Sequence, residues 1–290
     1  MENNFFAVSI MGASHIKSGK PMQDYSLAFK GEDYCVGVVC DGHGADKHFR
    51  SEIGSKFAAE VTAEKFAEIA KQFPTWDLLK NNLKQVSQRV KLAILADWHA
   101  KIEQYTKENP FTEDELKKAS KSFAQKRLYT VAQPYGTTIL GALVTEEYYF
   151  ALMIGDGAMF KILPGFKTEI VVFPGKKIYD DEPHSATDSL CEDNAYNNMF
   201  ICCNPIEKEE YGVAFGMCSD GMSEAFTTDE VLIKKVNNYF AYYAEVGIEK
   251  ATLDITAQLN NLSAISPMKD DISLAFATNH LELYKSEDGE

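Results

Sequence analysis

Five short segments of this chain each place an aspartate where an apolar run begins or ends. They are Pro21-Met22-Gln23-Asp24-Tyr25, Val38-Val39-Cys40-Asp41-Gly42-His43-Gly44, Met153-Ile154-Gly155-Asp156-Gly157, Met217-Cys218-Ser219-Asp220-Gly221-Met222 and Lys269-Asp270-Asp271-Ile272-Ser273. A single Asp-Gly is a common turn dipeptide, so the argument rests on repetition. Carboxylates converging at strand ends repel one another, and their pKa values rise unless a cation neutralises them. Carboxylates, a backbone carbonyl and water are hard oxygen ligands that suit Mg²⁺ or Mn²⁺ better than zinc. No C-x-x-C or H-x-x-x-H supplies a softer set. Glycine directly after Asp41, Asp156 and Asp220 is expected to let the chain turn sharply and to let another group approach the backbone.

The elements that would carry these aspartates can be read from periodicity. Phe5–Met11, Tyr25–Lys30 and Tyr34–Cys40 are short apolar or alternating runs, as in strands. A helical region follows from 49 to 127. Within it Leu79, Leu83, Val86, Val90, Ile94, Trp98 and Ile102 form one apolar face of a helix more than twenty residues long, with Thr75 as its N-cap. Another helix starts at Thr112 with Glu115 completing a capping box, and ends on Lys126 and Arg127. Strands are expected again at Thr137–Val144, Tyr148–Ile154, Ala158–Leu163, Glu169–Phe173, Met199–Cys203 and Val213–Cys218, with turns at Pro164-Gly165 and Pro174-Gly175. The polar stretch 175–211 reads as a surface flap. Helices at Asp229–Tyr243 and Ile248–Leu262 precede strands at Ile272–Ala277 and Leu281–Tyr284. Strands in blocks, with helices grouped between them, argue for antiparallel sheets packed face to face with helices outside. The reading is one domain, 1–285, and a disordered tail, 286–290.

Composition narrows the function. The formal charge of −14 argues against nucleic acid and anionic membranes as partners, because both need a basic footprint. No apolar run approaches the ~20 residues needed to span a bilayer. Six cysteines, mostly in strand-like runs, read as reduced thiols of a cytoplasmic protein. They lack the activating context of a cysteine nucleophile. A monomer is expected.

The Gln-Asp, Asp-Gly-His-Gly, Gly-Thr-Thr, Gly-Asp-Gly, Ser-Asp-Gly and Asp-Asp-Ile-Ser segments resemble, in order and rough spacing from Phe5 to Ala277, the signatures of the metal-dependent protein phosphatases of type 2C (the PPM family), bacterial members included. The resemblance implies an α+β fold. It would be a four-layer α-β-β-α sandwich of two antiparallel sheets with helices on both outer faces and a metal centre at one end. It implies two to three Mg²⁺ or Mn²⁺ ions. Asp41 would bridge two of them, the Gly42 carbonyl would bind one, and Asp220 and Asp270 would complete the set. Asp24 would hold water on the ions, and Asp156 with Asp220 would form a weaker third site. His43 would protonate the departing serine or threonine oxygen, as an imidazole near its ordinary pKa can. A phosphorylated protein is the implied partner. Its phosphoserine or phosphothreonine would be hydrolysed by a metal-activated water without a covalent intermediate.

Thr137, Thr138 and Asp271 read as structural supports of this centre. The chain departs from the family where a phosphate-binding arginine is common, since Gly19 occupies that position. His15, Lys17, Lys20 and Arg50 are the candidate replacements. That departure keeps two alternatives open: a phosphoprotein-binding regulatory module of weak or no activity, and a phosphohydrolase of small phosphate esters.

Overall fold

The computed structural model describes residues 5–122, 131–175 and 187–286. Ten strands among them form two five-stranded antiparallel sheets. The first runs in the order β1 (Phe5–Ile10), β10 (Ile272–Thr278), β9 (Ala214–Cys218), β6 (Ala158–Leu163), β7 (Lys167–Ile170). The second runs β2 (Tyr25–Lys30), β3 (Tyr34–Cys40), β4 (Ile139–Thr145), β5 (Tyr148–Ile154), β8 (Phe200–Pro205).

Three apolar cores separate four layers, and strand alternation sorts residues among them. On β3, Tyr34, Val36, Val38 and Cys40 pack with Phe66 of α2 (Ser51–Gln72) and Trp98 of α4 (Leu83–Glu108). Cys35 and Val39 of the same strand face the other sheet, among Leu140, Met217 and Ala275. On β10, Ile272, Leu274 and Phe276 meet Phe240 and Tyr243 of α8 (Asp229–Val246) and Ile255 of α9 (Ile248–Ile265). The expected α-β-β-α sandwich is therefore the observed one.

Several boundaries differ. The long apolar face is split. Leu79 lies on α3 (Trp76–Lys80), and α4 starts at Leu83. Between them Asn81 and Asn82 turn their amides back onto the Asp77 and Leu78 carbonyls, a local bond that competes with helix propagation. Thr75 is the N-cap residue of α3, but its side chain makes no cap hydrogen bond. The capping box of α5 (Glu113–Ser122) is present: Glu115 N donates to Thr112 Oγ1 at 3.2 Å and Thr112 N to Glu115 Oε2 at 2.7 Å. Lys126 and Arg127 lie outside the described residues. β7 starts directly after the Pro164-Gly165 turn, where Gly165 and Phe166 have φ of 77° and 58°. Leu281–Tyr284 is a 3₁₀ turn rather than a strand. Of the expected flap, 176–186 lies outside the described residues, and β8 joins the second sheet beside β5. All six cysteines are free thiols. Among the described residues no helix is long and apolar enough to cross a membrane.

Candidate metal centre

Strand register brings the aspartates to one end of the sandwich. Tyr25 pairs with Cys40, so Asp24 and Asp41 leave their strands side by side. Val39 pairs with Leu140 and Ile139 with Ile154, which carries Asp156 to the same end. In the other sheet Ile10 pairs with Ile272 and Leu274 with Cys218, which aligns Asp271 and Asp270 with Asp220.

The Asp41 loop is fastened by its backbone. Thr138 N donates to Asp41 O at 2.8 Å, Asp41 N donates to Thr138 Oγ1 at 3.0 Å, and Thr137 Oγ1 donates to Asp41 O at 2.9 Å. The supporting role read for this threonine pair is thus the observed one. His43 N donates to Gly136 O at 3.1 Å. Gln23 Nε2 donates to His43 O at 3.0 Å and to Ser51 Oγ at 2.5 Å. Gly42 is required here by proximity, since a Cβ would lie 2.5 Å from Gln23 O and 2.8 Å from Ser51 O. None of the glycines following Asp41, Asp156 and Asp220 has a positive φ. The close-approach half of the glycine expectation holds at the other two as well, since a Cβ would lie 2.6 Å from Cys218 O at Gly157 and 2.0 Å from Asp271 O at Gly221.

The carboxyl groups behave as a crowded set. Asp41 is pushed well above the usual range, first by burial and then by Asp24 and Asp220. Burial, then neighbouring aspartates, also raise Asp220. Asp24 is 3% exposed. Burial raises it to about 8, with Asp271 and Asp220 adding to the effect, against hydrogen bonds from Ser219 and Ser273. Its Oδ2 is buried without a hydrogen-bond partner. A buried, orphaned carboxylate oxygen beside other crowded aspartates is a donor set suited to hard divalent cations. The ligand atoms that all lie within 4.8 Å of one another among the described residues belong to His15, Asp270 and Asp271. Asp156 is exposed and accepts from Thr187 Oγ1 at 2.5 Å.

Asp271 serves as a clamp. It is 2% exposed, and its carboxylate accepts from Gly12 N at 2.6 Å, Gln23 N at 2.6 Å and Asp24 N at 3.4 Å. A serine seam, not anticipated from sequence, crosses between the sheets under Asp24. Ser26 Oγ lies 2.8 Å from Ser9 Oγ, which lies 2.6 Å from Ser273 Oγ, and Ser273 N donates to Ser219 Oγ at 2.9 Å. The signal was present: Ser9, Ser26 and Ser273 each sit on the inter-sheet face of an otherwise apolar strand, near the aspartate end.

The four candidate phosphate cations separate. Arg50 is withdrawn from the role. It is 7% exposed, and all five of its N–H groups are used. They reach both Glu115 oxygens at 2.8 and 3.0 Å, the Asn109 and Pro110 carbonyls, and Tyr135 OH. His15 is also withdrawn: it is buried, and both ring nitrogens face Asp270 and Asp271. Lys17 is exposed on α1 (Ala13–Ser18). Lys20 Nζ donates to Gly44 O at 2.8 Å, in the Asp41 loop. His43 departs from expectation electrostatically. Burial, then Lys47, pull its imidazole down to about 4. Its ring lies 4.9 Å from that of His48, tilted by 53° against it, and His48 is likewise lowered to about 4 by burial.

The family profile described as Protein phosphatase 2C matches residues 11–261. Among solved structures, a bacterial serine phosphatase is 17% identical with a TM-score of 0.58, over 95% of this chain and 97% of that one. The serine/threonine phosphatase Stp1 from Staphylococcus aureus is 16% identical with a TM-score of 0.58, over 96% and 95%. The catalytic domain of the serine threonine protein phosphatase PstP, in complex with two manganese ions, is 14% identical with a TM-score of 0.54, over 96% and 98%. At these identities the structures establish the shared fold. No curated protein sequence matches the chain.

Proposed function

Since the chain belongs to the protein phosphatase 2C family, whose members are metal-dependent protein-serine/threonine phosphatases, we propose that it hydrolyses phosphoserine or phosphothreonine in proteins at the aspartate cluster described above. Asp41, the Gly42 carbonyl, Asp220 and Asp270 would hold two Mg²⁺ or Mn²⁺ ions. Asp156 with Asp220 would hold a third, weaker one. When bound, the ions supply an acidified water and positive charge against the phosphoryl oxygens.

The chain's own groups do the rest. Asp24, buried beside the serine seam with its Oδ2 unpartnered, would accept a hydrogen bond from ordered water and fix its direction. Lys20, fastened to the Asp41 loop, would offer a point charge to the incoming phosphate, without the fork an arginine gives. His43 is neutral at pH 7 in the substrate-free protein. A phosphoryl dianion beside it would raise its pKa and let it give a proton to the leaving oxygen.

The observation that carries this reading is the Asp24 carboxylate, buried and half unpartnered among other aspartates. The test is phosphate release from a phosphothreonine peptide and from an aryl phosphate, with Mn²⁺, Mg²⁺ or chelator. We expect metal-dependent release from the peptide, abolished in Asp41→Asn and Asp220→Asn while the fold survives. Near-normal turnover in either variant would refute the ligand assignment. Release from the aryl phosphate alone would instead indicate small esters, and metal uptake without any turnover a binding module.

A further inference from the structure

His15 is the one buried residue of α1 among the described residues, and its surroundings connect it to the proposed metal ligand Asp270. Helix α1 sits directly on the segment before β10. Ser14 N donates to Lys269 O at 2.9 Å, and Ala13 N donates to Ser263 Oγ at 3.0 Å, which itself donates to Asp270 O at 3.1 Å. A Cβ on Gly12 would lie 2.3 Å from the Asp270 carbonyl carbon, so the two backbones are in contact. Lys269 holds a φ of 55°, an unfavourable conformation for a side chain with a Cβ, which persists where neighbours enforce it.

The two ring nitrogens of His15 reach different carboxylates. Nε2 lies 3.5 Å from Asp270 Oδ1, and Nδ1 lies 2.9 Å from Asp271 Oδ1. Neither approach is a hydrogen bond by geometry, and both act as charge contacts. Asp270 Oδ1 also accepts from Asp271 N at 2.9 Å. Among the described residues no hydrogen bond reaches Asp270 Oδ2, which leaves that oxygen for a cation. Asp271 has no such spare oxygen, because both accept backbone N–H groups. The Asp270 side chain is 44% exposed and that of His15 only 9%. An exposed carboxylate would sample several rotamers, and a buried ring against one of its oxygens restricts that freedom.

Resting on the metal reading above, we infer that His15 is a positioning residue for Asp270: it braces Oδ1 from the buried side so that Oδ2 is presented to a divalent cation. Such bracing raises metal affinity without entering the chemistry. Loss of an outer partner of this kind weakens binding by about 10- to 100-fold.

The test uses the full chain and Mn²⁺ titrated calorimetrically into protein freed of metal, for wild type, His15→Ala, His15→Asn and His15→Gln. A glutamine amide stands where imidazole Nε2 stands, and an asparagine amide stands where Nδ1 stands. We expect His15→Ala and His15→Asn to weaken Mn²⁺ binding by about 10- to 100-fold, His15→Gln to stay within about 3-fold of wild type, and kcat at saturating Mn²⁺ to change little in all three. His15→Ala binding as tightly as wild type would overturn the inference. So would one Mn²⁺ fewer at saturation in His15→Ala, since His15 would then itself be a ligand. A wild type that takes up no Mn²⁺ would overturn the metal reading, and this inference with it. Should the variants fail to fold, ¹⁵N spectra of the wild-type imidazoles during Mg²⁺ addition decide. We expect a saturable shift at His15 Nε2, and an unmoved resonance would overturn the role.

Discussion

Replacing Arg50 separates two roles that the sequence leaves entangled. As a phosphate ligand, Arg50 would be needed for substrate affinity and would matter little to stability. In the structure it is an internal brace. Its Nε and Nη2 hold Glu115 bidentately, Nη1 reaches Asn109 O at 2.6 Å and Tyr135 OH at 3.2 Å, and its Cζ lies 4.7 Å from the Phe111 ring centroid. It joins the start of α2 to the segment that leads into α5. Removing one partner of a buried ion pair costs about 3–5 kcal/mol. The Glu115 side chain is 25% exposed and can rehydrate, so the low end applies, about 3 kcal/mol for Arg50→Ala. Arg50→Lys keeps the charge but loses the fork, for about 2 kcal/mol. At roughly 2 °C per kcal/mol for a chain of this size, Arg50→Ala should melt about 6 °C lower. Urea unfolding gives the energies, and phosphopeptide kinetics should show KM within about 2-fold of wild type once the protein is folded. Burial opposes the charge on Glu115, but Arg50 and Thr112 outweigh it and hold the carboxyl below its ordinary 4.5. A group depressed on folding stabilises above its unfolded pKa and loses that contribution as pH falls through the folded value. The gap between Arg50→Ala and wild type should therefore narrow below pH 4.5. A tenfold rise in KM with an unchanged urea midpoint would refute the brace and restore the phosphate role.

Lys20→Ala should do the reverse: KM for a phosphopeptide rises by about 5- to 10-fold, while stability stays within about 0.5 kcal/mol because the side chain is exposed. Unchanged KM would remove Lys20 from substrate binding. Gly54→Ala should destabilise by more than about 2 kcal/mol in urea unfolding, although alanine favours a helix by about 1 kcal/mol, because the new Cβ would fall 1.9 Å from Tyr135 O. A neutral or stabilising result would mean that α2 can shift away freely. His280 tests pH linkage. Burial opposes its charge, but hydrogen bonds to Glu146 at 2.7 Å and Glu282 at 3.0 Å leave its pKa raised, with Tyr211 against the ring. That stabilisation is complete below the ordinary 6.5 and fades as pH rises through the folded value. His280→Gln should flatten the fall of the urea midpoint above pH 6.5, and an unaltered slope would place the titration elsewhere.

The sandwich was legible because its strands carry their layer assignment in their own alternation. β3 sends one parity to the helices and the other to the facing sheet, and the aspartates follow directly from the strand ends. What was hidden depends on neighbours far along the chain. Arg50 reads as a free cation until Glu115 and Asn109 are seen beside it. His15 reads as a phosphate contact until Asp270 and Asp271, more than two hundred residues away, close on its ring. His43 reads as an ordinary imidazole because burial, which lowers it, leaves no mark in a glycine loop. The break between α3 and α4 was legible in principle, in the Asn81-Asn82 pair, but the apolar periodicity runs straight through it.

How aspartates that repel one another stay in place follows from where their bonds lie. Asp41 is fixed through its own N–H and C=O by Thr137 and Thr138. Asp270 is fixed through its carbonyl by Ser263. Asp24 is fixed through its N–H by Asp271, and Asp220 sits at the start of α7 (Asp220–Ser223), where its carbonyl accepts from Glu224 N at 2.8 Å. In each case a main-chain group is anchored, which limits how far the side chains can retreat from one another. Three apolar cores that involve none of these carboxylates supply the stability that the crowding costs. Such a site can lose one charge, as in an aspartate-to-asparagine change, without losing its shape, because the anchors remain. The cation affinity that the proposed function requires would therefore come from carboxylates held close together before any ion arrives.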